Sequence, residues 1–331
     1  MNFKKDILQI NYNDEIVRTC SFIKRQVTSM KRDGVVIGIS GGVDSAVCSS
    51  ICLKALGKDH VLGVLLPEKE SNPVSEQFAS RHSHEIGLNT ITMDITATLE
   101  GFGTYKLRDQ VIKEIFPEFD DRSKSKIILP PDLLAKEALN YFTLKIMDNA
   151  GNIKTARLNN RSLRGIVAAS NTKQITRMMY LNYFADLNNY LVCGTTNRSE
   201  YIQGFFVKYG DGGVDIEPIV HLYKMQVYQL AKYLRIIPEI VSRPPSPDTF
   251  SFPVTDEEMY FRIPYDILDL MLYAWEHNVP KNEVSAVMNF TESQVQRVFR
   301  DLTSKYRATA NLRRPPQNID NENIIQAGNT T

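Results

Sequence analysis

The run SGGVDS at residues 40–45 has the side chains and backbone freedom to handle a polyphosphate. Gly41 and Gly42 let the main chain approach a ligand closely, and the free N–H groups of a following helix turn make an anion site. Asp44 supplies a hard oxygen for Mg²⁺, and Ser40 and Ser45 supply hydroxyls. The phosphate loop of common nucleoside triphosphatases, Gly-x-x-x-x-Gly-Lys-Ser/Thr, is not what stands here, because its lysine is missing. A second block lies far along the chain. Thr195 and Glu200 follow Gly194, and Glu200 can complete a Mg²⁺ site with Asp44. Residues 204–215 place three glycines between Lys208, Asp211 and Asp215, a turn able to fold over a substrate and exclude water. Lys224 opens a helical stretch as a candidate phosphate ligand. A lone lysine is ordinarily solvated, and only its spacing from the other groups singles it out.

These groups need a frame. Val35 to Ile39 is a β-branched run that reads as a buried parallel strand, followed by a helix from Ala46 to Leu56. Val61 to Leu66, Thr90 to Ile95 and Tyr190 to Gly194 read as three further strands. Helices are expected before the first strand (residues 3–30), from a Ser75 cap to Ile86, from Lys173 to Leu187, and from Tyr223 to Leu234. Strands alternating with helices argue an α/β, Rossmann-like, doubly wound parallel sheet with right-handed crossovers. The loops after the first and last strands then open at the carboxyl edge, where such sheets bind ligands. The pattern breaks over about 101–170, which reads as an insertion with a hairpin, Tyr141 to Met147 and Asn152 to Leu158. The tail from 263 reads as helical, with Thr291 capping one helix. The expected division is therefore 1–262, carrying the insertion, and a helical extension over 263–331.

Composition sets bounds. The 331 residues include 39 basic and 38 acidic side chains, a net charge of +1, so no broad nucleic-acid or membrane surface is implied. No apolar run approaches the ~20 residues that span a bilayer, and the first residues lack the apolar core of a signal peptide. A cytoplasmic location is expected. Cys20, Cys48, Cys52 and Cys193 have no metal spacing, and Cys48 and Cys52, one helical turn apart, read as buried apolar groups. His82 and His84 read as an exposed helix face.

The loop at 40–45 resembles the SGGxDS loop of the ATP pyrophosphatase superfamily, whose members cleave ATP between the α- and β-phosphates. With the later blocks, the chain resembles the ammonia-dependent NAD⁺ synthetase family, in a longer-chain subgroup. The likeness covers residues 20–100 and 170–275, with a short echo at 313–316. It implies ATP contacts at Ser40, Gly41, Gly42, Asp44, Ser45, Thr195, Lys224 and Ser246, and Mg²⁺ ligands at Asp44 and Glu200. Asp44, Glu200 and Lys224 would carry catalysis, and Arg177, Lys208 and Asp215 would contact the second substrate.

The resemblance implies ATP-dependent amidation of deamido-NAD⁺ through an acyl-adenylate, with AMP and pyrophosphate released and ammonia as nitrogen donor. It also implies a homodimer. Nothing in the chain resembles a glutaminase domain, so ammonia would arrive free or from a separate glutaminase. The acid-substrate half departs from the family pattern: Ile175 stands where a substrate-contacting arginine is usual, and Asn311 and Leu312 stand where His-Lys is usual. Either a basic residue of the insertion (Arg157, Arg161 or Arg164) replaces the lost contact, or a different acid is amidated, for instance nicotinic acid mononucleotide. A tRNA-modifying relative and a non-catalytic binding module are weaker rivals. The first lacks its basic patches, and the second has no need of two metal carboxylates.

Overall fold

The computed structural model describes residues 3–135 and 141–317, so the last residues of the expected extension, 318–331, lie outside the described residues. In chain order, helix α1 (Tyr12–Ser29) leads into strand β1 (Gly34–Gly38), followed by α2 (Val43–Leu56), β2 (Val61–Leu65), α3 (Pro73–Ile86) and β3 (Asn89–Thr92). Then come α4 (Thr96–Phe102), α5 (Thr104–Lys113), three strands β4 (Lys124–Ile128), β5 (Thr143–Met147) and β6 (Ile153–Arg157), and the long α6 (Asn160–Asn188). The chain continues through β7 (Tyr190–Cys193), α7 (Arg198–Gln203), α8 (Lys224–Tyr233) and α9 (Pro238–Ser242). It finishes with α10 (Tyr265–Glu276), α11 (Lys281–Met288), α12 (Glu292–Ala308) and α13 (Ala310–Arg313).

The central sheet has the order β3-β2-β1-β7 with every pair parallel. Alternation along β1 decides what covers each face. Val35 and Ile37 point into a core shared with α1, α2 and α8, while Val36 points into one formed by α4, α5 and α6. Helices therefore coat both faces, as the β-branched runs require. The strand order reverses at β1, between β2 and β7, so the loops after β1 and β7 border one crevice.

The expected insertion is a second, antiparallel sheet, β4-β5-β6, with the expected hairpin as β5 and β6. It has its own core of Ile127, Ile128, Leu144, Ile146 and Ile166, which Phe250 and Val254 from a distant loop complete. The C-terminal helices pack a further core, Leu268, Met271, Leu272, Val295 and Val298, with Phe3, Leu8 and Leu133.

Several local expectations shift. The first helix begins at Tyr12, because the Asn11 side chain accepts from the N–H groups of Asn13 and Asp14. Asn72 rather than Ser75 caps α3, accepting from Val74 N with Pro73 in the first turn. The helix expected from Lys173 starts at Asn160, capped by Asn159, so its first thirteen residues belong to the insertion. His82 is not exposed: it is buried, with Nε2 3.2 Å from Ser49 Oγ, and only His84 faces solvent. Thr291 caps α12 in a capping box as expected, and Cys48 and Cys52 are fully buried.

Candidate active site

A cavity of about 850 Å³ opens at the carboxyl edge of the sheet. Its floor is the loop between β1 and α2. Gly41 has φ +77°, and a Cβ there would lie 2.2 Å from Ser75 O, so the close approach of α3 demands glycine. Ser45 Oγ donates to Gly42 O (3.0 Å) and lies 3.1 Å from Ser40 Oγ, which accepts from Gly42 N at 3.2 Å. The hydroxyls thus brace the turn from inside. No side chain caps α2, so its first-turn N–H groups remain for a ligand.

The second wall comes from the end of β7. Asn197 caps α7 in a capping box with Glu200, whose Oε2 accepts from Asn197 N at 3.2 Å. Asn197 also reaches across the crevice, its Nδ2 donating to Asp44 Oδ1 at 3.0 Å. Lys224 Nζ sits between the two halves, donating to Asp44 Oδ2 and, at 3.4 Å, to Glu200 Oε1. Burial opposes its charge, but Asp44, Glu200 and Asp256 together hold Lys224 protonated well above the usual lysine range. Burial, with Asp44 and Asp256 nearby, pushes Glu200 up to about 8 against the pull of Lys224. Asp256 rises to about 6 by burial. Its Oδ2 accepts from Tyr265 Oη at 3.0 Å, while Oδ1 has no hydrogen-bond partner among the described residues.

The register of Lys224 is set from the C-terminal helices. Asp269 on α10 accepts from Ser199 Oγ (2.5 Å) and from Met225 N (2.7 Å), and Ser199 Oγ in turn accepts from Lys224 N at 3.1 Å. One buried carboxylate thereby fixes the starts of α7 and α8, which carry Glu200 and Lys224.

Ser40, Gly41, Gly42, Asp44, Ser45, Thr195, Glu200, Lys224, Ser246, Arg177 and Lys208 all line the cavity. Asp215 does not. Its exposed carboxylate accepts from Val192 N at 2.7 Å, at the edge of β7 along which the backbone of Asp215 and Ile216 also pairs. Arg177 donates only to neutral acceptors, Leu66 O and Gln174 Oε1, both at 3.2 Å, and burial lowers its pKa despite Glu68, Asp248 and Asp211 nearby. Lys208 Nζ donates to Asn311 O at 3.0 Å. Ile175 (45% exposed) and Leu312 stand on the rim. None of Arg157, Arg161 and Arg164 lines the cavity. The insertion contributes Ile127, Phe142, Leu163 and Val167, an apolar wall.

Sequence reasoning missed Asn197, Asp211, Asp256 and Asp269 as groups of the site. Asp211 lay inside a run read as a glycine turn, and burial pushes it up to about 6 while it accepts from Val207 N at 2.9 Å. Asp256 and Asp269 carry no short motif.

Two hard carboxylates beside a loop of free N–H groups fit Mg²⁺ held jointly with phosphate oxygens, the usual way this ion is bound at nucleotide sites. Among the described residues there is no cluster of three or more acidic, His or Cys side chains that would hold a metal without the nucleotide.

The fold is an α/β doubly wound sheet with a large cavity at its carboxyl edge. A family model described as NAD synthase matches residues 15–127 and 109–311. The ammonia-dependent NAD⁺ synthetase of Mesorhizobium japonicum is 42% identical over 311 residues, covering 94% of this chain and 97% of that protein. This chain belongs to the NAD synthase family, and with it to the ligases. Solved structures agree on the fold. NMN synthetase from Francisella tularensis matches with TM-score 0.65 and 20% identity, covering 94% of this chain and 99% of that one. Ammonia-dependent NAD synthetase from Campylobacter jejuni matches with TM-score 0.61 and 22% identity, covering 94% and 100%. Among the described residues no helix is long and apolar enough to cross a membrane.

Two outcomes follow from this geometry. Asp44→Asn and Glu200→Gln should each abolish turnover at saturating Mg²⁺ while circular dichroism stays near wild type, since Gln can still accept within the capping box. Near-normal activity in either variant would remove that residue from the metal site. Asp211 binds its proton more tightly folded (about 6) than unfolded, so its contribution to stability is full below the unfolded value and lost as pH rises through 6. Between pH 4 and 7, Asp211→Asn should therefore reduce the fall in unfolding free energy by about 2 kcal/mol, measured by denaturant titration at both pH values.

Proposed function

We propose that the enzyme amidates nicotinic acid adenine dinucleotide (deamido-NAD⁺) with ATP and ammonia. The observation that supports this most is the meeting of SGGVDS, Glu200 and Lys224 on one side of a cavity whose other side carries Arg177, a guanidinium paired only with neutral acceptors. A carboxylate oxygen of the acid attacks the α-phosphorus, the bond to the β-phosphate bridging oxygen breaks, and pyrophosphate leaves. Ammonia then attacks the acyl carbon and AMP departs. No side-chain nucleophile is needed, and the protein's task is positioning and charge neutralisation.

The N–H groups at the start of α2 and the Ser40 and Ser45 hydroxyls hold the phosphates. Lys224, kept cationic by its carboxylates, faces the charge that gathers on the leaving pyrophosphate. Asp44 and Glu200 would hold Mg²⁺, which when bound neutralises that same charge. Thr195 and Ser246, on opposite loops of the cavity, flank the nucleotide. Arg177 and Lys208 receive the anionic acid substrate. Asp215 acts at one remove, tying the 204–215 loop to β7.

We also read the protein as a homodimer. Ile175, Met179, Tyr183 and Leu187 recur every fourth residue on α6 and are 45–65% exposed, a continuous apolar stripe. Phe102 on α4 and Leu107 on α5, helices that pack on α6, are exposed as well. A second reading, amidation of a smaller acid such as nicotinic acid mononucleotide, draws on the apolar side chains of Ile175 and Leu312 at the rim.

With deamido-NAD⁺, the products from ATP should be AMP and pyrophosphate, and the protein should catalyse acid-dependent exchange of labelled pyrophosphate into ATP. ADP and phosphate instead would overturn the assignment. Arg177→Ala should raise KM for deamido-NAD⁺ about tenfold or more, the ~1.4 kcal/mol scale of one charged hydrogen bond. Negligible turnover of deamido-NAD⁺ beside efficient use of the mononucleotide would favour the second reading. Met179→Asp should shift the mass seen by light scattering from dimer to monomer.

A further inference from the structure

The insertion's antiparallel sheet contributes little hydrogen bonding to the cavity, yet it grips a long loop that lines it. Residues 243–256 carry Ser246 and run from the end of α9 to the start of α10's approach without regular structure. Such a loop would ordinarily be mobile and pay its ordering entropy when a ligand arrives. Here the outer edge of β4 receives it. Phe252 N donates to Ser125 O (3.2 Å), and Ser125 N donates to Ser251 Oγ (3.0 Å). Lys126, almost fully buried, donates from Nζ to Pro253 O (3.0 Å) and pairs with Glu258 Oε1 (2.8 Å). Phe250 and Val254 then sink into the core of the insertion itself.

A second arm grips the loop from below. Lys173, 1% exposed, donates to Thr249 O at 3.0 Å while held by Glu68 (2.8 Å) and Glu70 (2.7 Å). Arg108, from the insertion's α5, pairs with Glu70 at 2.6 Å, and Tyr105 Oη donates to Glu68 at 2.7 Å. Leaving any of these charges unpaired in such a setting is costly, so the network has one arrangement in which all are satisfied. That arrangement fixes the backbone at Thr249, three residues from Ser246.

We infer that the insertion is a clamp that holds the 243–256 loop in its nucleotide-binding path before ATP arrives, with Lys126 and Val254 as positioning residues. The inference rests on the ATP reading above for its kinetic consequence, but not for its structural one. A preformed loop removes an ordering cost from nucleotide binding, so the clamp acts on ATP affinity and leaves the chemical step alone. Neither Lys126 nor Val254 lines the cavity.

Hydrogen–deuterium exchange on the ligand-free full-length protein tests the clamp directly. Lys126→Met and Val254→Ala should each speed exchange across 243–256 about tenfold or more, with exchange in β1, β2 and β7 close to wild type. Lys126→Arg, which keeps a donor and the ion pair, should restore most of the protection. In steady state, both weakened variants should raise KM for ATP about tenfold with kcat within twofold. Unchanged exchange in both would overturn the clamp, as would a fall in kcat at unchanged KM. Should wild type fail to use ATP at all, the functional reading falls while the exchange result still decides the clamp.

Discussion

A buried lysine among carboxylates is the constraint on which the rest depends. Lys224 lies almost wholly out of water, and an isolated ammonium in that position would cost several kcal/mol. Asp44 and Glu200 offset this, but only if the start of α2, the start of α7 and the start of α8 converge to within hydrogen-bond reach. Each of those starts is pinned separately. Gly41 lets α3 close on the loop before α2, Asn197 caps α7, and Asp269 fixes both Ser199 and Met225. The cluster therefore depends on α2, α3, α7, α8 and α10 at once, the C-terminal helices taking part through Asp269.

The same cluster shows how ligand-free and ligand-bound needs are reconciled. Asp44 and Glu200 are the carboxylates suited to a divalent cation, and with no cation their mutual repulsion must be met by something else. Lys224 Nζ lies between them and does so. Under the reading proposed above, Asp44 and Glu200 would hold the cation, and nucleotide phosphates would supply negative charge for Lys224. Asp256, buried with one oxygen unpartnered beside this group, adds further negative potential that keeps Lys224 charged throughout.

What the sequence disclosed follows from where the physics is local. The strand–turn–helix at 35–56 was legible because β-branched periodicity, the glycine pair and the apolar helix all lie within those twenty-two residues. The parallel sheet and the placing of the site loops at its carboxyl edge followed from the alternation of strands and helices, whereas the strand order did not. The capping of α12 was legible because a capping box is three residues long. The longer start of α6 was not, since residues 160–172 have mixed polarity and gain their helical state by packing Ile166 and Leu163 against the insertion. Buried His82 was missed for a similar reason: only the approach of Ser49 from α2 makes that face interior. Asp269 reaches Met225 and Ser199 across 44 and 70 residues of separation, and no local pattern encodes such contacts.

The apolar rim makes the acid-binding half of the cavity intelligible in energetic terms. Replacing a charged donor by Ile175 removes one attraction for an anion, but it also removes a competitor for the electrostatic field of Arg177. That guanidinium meets only neutral acceptors, and burial depresses its pKa, so it is under-compensated in the ligand-free state. An entering carboxylate or phosphate would restore the missing partner in a poorly hydrated setting, where a charge-assisted bond is worth more than in water. Ile127, Phe142, Leu163 and Val167 meanwhile offer a flat apolar wall of the kind that covers an aromatic ring. One cationic anchor beside an apolar wall suits an aromatic carboxylate, and under the reading proposed above Arg177 is the group that would orient it.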